Sequence, residues 1–310
     1  MENHQRLKGL IAATFTPMDA EGNINLKVID SYTELMIRSG ITGVFVCGTS
    51  GESASLITEE RKRITSAWIK SAKGRLKVIV QVGSNSQLEA IELAGHAYES
   101  GADGIAAVAP SFFKPATAKD LVDFFAPIAA GAKELPFYYY HIPSMTSVFL
   151  PVPEILSEGK KIIPNLAGVK FTHNNQMEML QCIQMDNGAF EVLNGFDELL
   201  LAGLALGVEA AVGSAFNYFS EVYLGIIEAF SKGHISKARE LQMKSIEVVS
   251  IIAKYGGAVR TGKAIMNLLG IECGNCRLPI APFSEEEYKL LNEDLNKAGF
   301  FDFKNQYHSL

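Results

Sequence analysis

The sequence predicts a closed (β/α)8 barrel followed by a helical extension. Three observations carry that reading: eight short apolar runs, helical segments alternating with them, and runs that are apolar on both faces. The runs occupy residues 9–17 (GLIAATFTP), 43–52 (GVFVCGTSGE), 77–86 (KVIVQVGSNS), 104–110 (GIAAVAP), 137–143 (FYYYHIP), 166–172 (LAGVKFT), 190–198 (FEVLNGFDE) and 210–217 (AAVGSAFN). Between them, segments such as 26–40, 58–74 and 86–101 repeat apolar residues with a period near 3.6, and each closes on a glycine. Strands apolar on both faces and separated by single helices run parallel beneath a helical cover. Eight such units suit closure into a barrel, a fold of about 250 residues. An open doubly wound sheet is the alternative, and the first run lacks the glycine fingerprint of a dinucleotide turn. From about Glu221 the strand signal stops and the chain reads as helices. Residues 1–220 are therefore expected to form the barrel carrying the site. Residues 221–310 form a helical extension packed against it, because no linker rich in Pro, Gly or Ser separates the two.

Composition narrows the function. The chain has 310 residues, 48% hydrophobic and 20% charged, which excludes a disordered or fibrous protein. Its 28 basic and 34 acidic residues give a net charge of −6 without a basic run, so nucleic acid is not an expected partner. The longest uncharged run, from Leu135 to Pro153, holds four prolines and His141, which argues against a membrane span. The first ten residues contain no apolar signal core, and the expected compartment is the reducing cytoplasm. Cys273 and Cys276 form a C-G-N-C pair, but Cys47 and Cys182 do not supply a second pair at zinc-site spacing. The pair reads as a loop with two ordinary thiols.

Barrel chemistry sits at the C-terminal ends of the strands. Strand parity there puts Lys170 on one face with Leu166 and Gly168, facing inward if the smaller residues line the barrel axis. Desolvation favours the neutral amine, the nucleophile needed for a Schiff base with a carbonyl substrate. The other reading is a lysine that snorkels outward or pairs with a carboxylate. Tyr138 and Tyr140 share one face and Tyr139 takes the other; Tyr140, nearest the strand end, can relay protons or simply fill space. The turn Gly48-Thr49-Ser50-Gly51-Glu52 offers backbone N–H groups to an anion, and the lack of Lys or Arg in it favours a carboxylate over a phosphate. Gly195-Phe196-Asp197-Glu198 opens a helix whose dipole accounts for two acids as well as a ligand would. Gly213-Ser214 ends the eighth strand. His141 and His173 have no partner at metal-ligand spacing and read as structural or peripheral, so no metal is expected. Trp68 belongs to a helix expected to pack on the barrel.

Taken together, AATFTPMDAEGNIN, GTSGE, YYYHIP, GVKFT, GFDE and AVGSAFNY, in that order, resemble the N-acetylneuraminate lyase family. That family lies within the pyruvate-handling class I aldolases that include dihydrodipicolinate synthase, and the match spans nearly the whole chain. The resemblance implies Lys170 as the Schiff-base lysine, Tyr140 as the proton-transferring phenol, and Thr49 with Ser50 as holders of the pyruvate carboxylate. It further implies that Thr172, Gly195, Asp197, Glu198 and Ser214 contact the hydroxylated remainder of a sialic acid. No cofactor is implied, and a homotetramer is. Two positions depart from the pattern. Ser144-Met145-Thr146 stand where the synthases usually carry an arginine for a second carboxylate, which favours a sugar-like partner. Phe112 and Phe113 stand where many members carry a tyrosine that reaches a neighbouring subunit, which puts a hydroxyl relay across subunits in doubt. The expected reaction is reversible cleavage of N-acetylneuraminate to N-acetylmannosamine and pyruvate. Its rivals are another pyruvate aldolase, such as a sugar-acid lyase or dihydrodipicolinate synthase, and a noncatalytic barrel that senses a keto acid.

Overall fold

A computed structural model of the chain describes residues 6–307. Eight parallel strands close into a barrel: β1 (Gly9–Ala13), β2 (Gly43–Val46), β3 (Lys77–Gln81), β4 (Gly104–Val108), β5 (Phe137–His141), β6 (Leu166–Phe171), β7 (Glu191–Asn194) and β8 (Ala210–Gly213). Each pairs with its neighbours in sequence, and β1 completes the ring by pairing with β8, so no edge is left. The period of two sorts the strand residues into two cores. Ile11, Phe45, Ile79, Ala106, Tyr138, Tyr140, Leu193 and Val212 fill the interior, while Leu10, Val44, Val80, Ile105, Tyr139 and Val169 meet the surrounding helices. Tyr139 thus faces away from Tyr138 and Tyr140, as parity requires.

β6 departs from simple alternation. Phe137 pairs with Leu166, but the next residue, Tyr138, pairs with Gly168. This irregularity skips Ala167, which packs in the interior cluster, while Leu166 packs against the outer one. The expectation that Leu166 shares a face with Lys170 is therefore corrected; Gly168 and Lys170 keep the inward face, and the extra residue resets the phase before them.

The helices follow their local signals. Ser86 accepts a hydrogen bond from the Glu89 N–H, and Thr117 and Asp120 cap one another reciprocally. Trp68, fully buried on its helix Thr58–Ala72, meets Tyr32 edge-on at 5.1 Å between ring centroids. No helix among the described residues is long and apolar enough to cross a membrane.

After β8 come the helices Phe216–Ser231, Ile235–Lys254, Ala258–Leu268, Glu285–Lys297 and Phe300–Tyr307. They are fastened to the barrel by apolar and polar contacts. Within the extension itself, Phe219 stacks on Phe300 at 4.9 Å. Asn217 donates to the Ala13 carbonyl at 2.9 Å and accepts from the Tyr32 hydroxyl at 2.6 Å, tying the end of β1 to the first of these helices. Arg277 donates to the Glu60 carboxylate at 2.8 Å and to the Gly22 carbonyl at 2.9 Å. Cys273 and Cys276 are both free thiols, and burial pushes each up to about 12, which keeps them protonated.

The most deeply buried fastening is an ion pair. Lys263 Nζ lies 2.9 Å from Glu52 Oε1, with both side chains 1% exposed. Each partner makes a further hydrogen bond, since Lys263 also donates to the Asn275 carbonyl and Glu52 accepts from the Arg277 N–H. Removing one member strands the other charge in a dry interior, at a cost of about 3–5 kcal/mol. Lys263→Met is expected to lower the unfolding free energy in urea by about that amount. Adding Glu52→Gln to it should recover part of the loss; strict additivity of the two single changes would show that the groups do not interact.

Candidate active site

At the C-terminal ends of the strands a cavity of about 270 Å³ opens. Its lining includes Thr49, Ser50, Tyr140, Lys170, Thr172, Gly195, Asp197, Glu198 and Ser214. The nine residues singled out from the sequence therefore meet in one place, although they come from five different strand ends.

Lys170 supplies the amine in the lining of the cavity. The residue is 3% exposed, and its ammonium nitrogen sits 4.1 Å from the centroid of the Phe45 ring and 4.0 Å from that of Tyr140. Ring faces attract a cation only weakly by comparison with water, so they do not offset the lost hydration. Burial accordingly pulls the amine down to about 7, against the opposing pull of the Asp197 carboxylate. Asp197 is pushed the other way by the same cause, up to about 7, while the Ala215 N–H, donating at 2.7 Å, favours its charged form. A base normally fully protonated and an acid normally fully ionised thus both exchange protons near neutrality.

Tyr140 stands across from the lysine with its hydroxyl 3.1 Å from Thr49 Oγ1. Burial pushes the phenol up to about 12, and the hydroxyls of Thr49 and Thr172 pull it back. Its ring is held edge-on to Phe45 at 5.4 Å. The turn after β2 is tight: Cys47 and Glu52, at its two ends, take the left-handed conformation at φ 55° and 56°. Among the described residues, the N–H groups of Thr49 and Ser50 have no acceptor within the chain, which leaves both donors for a ligand.

Two glycines permit the close packing of this mouth. A Cβ on Gly213 would lie 1.8 Å from Asp197 Oδ1, and one on Gly195 would lie 2.1 Å from Thr172 Oγ1. Any side chain at either position would displace a polar group that the cavity uses.

Sequence reasoning missed a wall of the site. Val249, Ile252, Ala253, Gly257, Ala258 and Val259, all beyond β8, line the cavity, so the helical extension shapes the site as well as packing on the barrel. Tyr218, fully buried and stacked on Phe15 at 6.4 Å, joins them. Helical periodicity marks such residues as apolar but does not say which strand mouth they will cover.

Phe112 and Phe113 lie outside the cavity, 77% and 86% exposed, in edge-to-face contact with each other. His141 and His173 also lie outside it, beyond the barrel wall. The expectation that they have no partner at metal-ligand spacing needs correction: Glu178, on the helix Gln176–Gln184, comes within reach of both. The fold sets this trio together through the adjacency of β5 and β6, which spacing along the chain does not reveal.

The comparisons agree with this geometry. Residues 6–298 match the Dihydrodipicolinate synthetase family. The N-acetylneuraminate lyase of Gallus gallus is 42% identical over 290 residues, covering 92% of this chain and 94% of its own length. Among solved structures, N-acetylneuraminate lyase from Proteus mirabilis superposes with a TM-score of 0.93 at 35% identity, covering 96% of this chain and 100% of that one. The N-acetylneuraminate lyase (sialic acid aldolase) of Aliivibrio salmonicida does so with a TM-score of 0.93 at 38% identity, over 96% and 98% of the two chains. With the match running through all eight strands and most of the helical extension, the chain belongs to the Dihydrodipicolinate synthetase family.

Proposed function

We propose that the protein is a class I aldolase that reversibly cleaves N-acetylneuraminate to N-acetylmannosamine and pyruvate. The observation that carries this reading is the desolvated Lys170 amine at the barrel mouth, facing Tyr140. Relatives of similar sequence and shape, named for this reaction, support it.

The neutral Lys170 nitrogen attacks the C2 ketone of the open-chain sugar, and loss of water leaves an iminium. Its positive charge draws electrons from the C3–C4 bond. Tyr140 relays the proton of the C4 hydroxyl: because burial keeps the phenol protonated, it accepts that proton only as its own passes to Thr49 Oγ1, 3.1 Å away, while the Thr49 hydroxyl gives its own proton to the substrate carboxylate it holds, from which the same relay later returns it for C3. The C3–C4 bond breaks, C4 becomes the aldehyde of N-acetylmannosamine, and C3 keeps the electron pair as an enamine. Protonation at C3 and attack by water at C2 release pyruvate and restore the amine. Thr49 and Ser50 hold the pyruvate carboxylate through their hydroxyls and open N–H groups. Thr172, Gly195, Asp197, Glu198 and Ser214 receive the hydroxylated remainder. The site needs no metal or organic cofactor for these steps, and its partners are small molecules. The working form is a homotetramer in the cytoplasm.

Lys170→Ala is expected to abolish pyruvate release from N-acetylneuraminate while leaving the far-ultraviolet circular dichroism unchanged. Borohydride added during turnover should leave pyruvate linked to Lys170 in the parent protein only. Condensation of pyruvate with aspartate semialdehyde, or cleavage of a sugar acid in place of N-acetylneuraminate, would replace the substrate assignment; imine formation without turnover would leave only a sensor.

The pH dependence has a defined sign. Only the unprotonated amine attacks, so kcat/KM should fall about tenfold per pH unit below the Lys170 pKa and level off above about 7. Asp197→Asn removes the charge that favours the ammonium, and should move this acid limb to lower pH. A limb near 10.5, the ordinary lysine value, would remove the basis of the mechanism.

A further inference from the structure

Behind the wall of the cavity, on the outward face of β5 and β6, two imidazoles and a carboxylate converge without satisfying one another. His141 ends β5 and is 2% exposed. Its Nδ1 lies 3.1 Å from the Tyr139 hydroxyl, while its buried Nε2 has no hydrogen-bond partner. His173, two residues past β6, presents a buried Nδ1 that also has no partner. Glu178 occupies the first turn of the helix Gln176–Gln184; its Oε1 accepts from the Val152 N–H at 2.7 Å, and its Oε2 accepts from the Asn175 side-chain amide at 3.3 Å and comes to 4.0 Å from His173 Nδ1. That separation is too long for a hydrogen bond. One donor atom from each of the three residues lies within 4.8 Å of the other two.

Two orphaned ring nitrogens aimed at the same space are costly, because a buried polar atom without a partner forfeits its hydration. A cation placed between them and the carboxylate would satisfy both at once. We propose that His141 Nε2, His173 Nδ1 and Glu178 Oε2 form a binding site for a divalent transition-metal ion of the zinc class. Two imidazoles and a carboxylate are a donor set suited to Zn²⁺, with bonds of about 2.0–2.2 Å. Tetrahedral bonds of that length bring donors to roughly 3.5 Å of one another, so the cluster must contract by about 1 Å. His173, whose side chain is 29% exposed and makes no hydrogen bond that would hold it, can supply that movement. The Tyr139 hydroxyl fixes the His141 ring from its far side, as orienting groups behind metal-bound histidines do. A pocket of about 430 Å³, lined by all three residues together with Phe149, Asn175 and Gln181, gives the ion a path from solvent and leaves room for water in the fourth position. Such an ion would join the ends of β5 and β6 and the following helix from outside. It takes no part in the aldol chemistry proposed above, which uses the inward faces of the same strands.

The test is titration of the full, chelator-stripped chain with zinc chloride against a chromophoric chelator, and with cobalt chloride by absorption spectroscopy. The expected result is one equivalent bound per chain, with His173→Ala and Glu178→Gln each weakening binding at least tenfold and Cys276→Ser leaving it unchanged. The cobalt spectrum should lack thiolate charge transfer. Failure of the parent chain to bind one equivalent would overturn the proposal. So would unchanged affinity in His173→Ala, or loss of binding in Cys276→Ser. Should Glu178→Gln fold poorly through its link to Val152, His173→Ala decides alone, since that side chain makes no hydrogen bond and only ring contacts, to His141 and Phe171.

Discussion

The chemistry proposed for this protein depends on the removal of water from one amine. Lys170 sits between the faces of Phe45 and Tyr140, in a barrel interior lined mostly by aliphatic and aromatic groups, with the Glu191 carboxylate accepting from the Tyr138 hydroxyl. Neither ring can solvate an ammonium as water does, and the carboxylate that favours the charged amine, Asp197, is itself discouraged from ionising by the same dryness. The sign of the resulting linkage is unfavourable to folding. A lysine whose folded-state pKa falls below its unfolded value costs stability that grows as pH drops from the unfolded pKa toward the folded one, and stays constant below it. The window runs from 10.5 down to about 7, so at neutral pH most of that cost is present. The fold must therefore be stable enough elsewhere to hold a destabilising group where it is useful.

That stability comes from closure and from fastenings outside the cavity. The β1–β8 pairing removes both sheet edges, and the two cores on either side of the strands hold every strand from both faces. The turn bearing Thr49 and Ser50 has Glu52 at its end, locked by Lys263 from the helical extension. Strain in that turn, where Cys47 and Glu52 adopt left-handed backbone conformations, is thus opposed by a buried ion pair. The same extension supplies the apolar wall formed by Val249, Ile252 and Ala253, so one set of helices both stiffens the turn bearing Thr49 and Ser50 and limits access to the amine.

Much of this was legible in the sequence, for reasons that can be traced residue by residue. Parallel strands buried on both faces leave a strong signal, and chemistry at their C-terminal ends follows from how the barrel is built, so Lys170, Tyr140 and Asp197 could be picked out by position. The place of Leu166 was misread because parity counts residues and cannot see the skipped Ala167. Glu52 with Lys263 was invisible because the pair is separated by 211 positions and either residue, alone, looks like an ordinary surface charge. His141, His173 and Glu178 failed for a related reason: metal-ligand spacings are readable when donors share a turn or a helix, whereas here the donors come from two strand ends and a helix start.

β5 shows how closely the two environments are interleaved. Tyr138 and Tyr140 point into the barrel and Tyr139 and His141 point out, each pair governed by the same period of two. Consequently the residue that faces the lysine and the residue that faces the His173–Glu178 cluster are covalent neighbours. Any rotation of the strand end that improved one set of contacts would worsen the other. The Thr172 N–H donating to the His141 carbonyl at 2.8 Å, and the Gly195 N–H donating to the Phe171 carbonyl at 2.9 Å, continue the ladder past the strand ends. These bonds resist such rotation at the level where the side chains of β5 and β6 emerge. The Cα positions of Tyr140 and Lys170, paired across β5 and β6, are thereby held by backbone hydrogen bonding, and the rings of Phe45 and Tyr140 then place the amine between them without a hydrogen bond from amine to phenol.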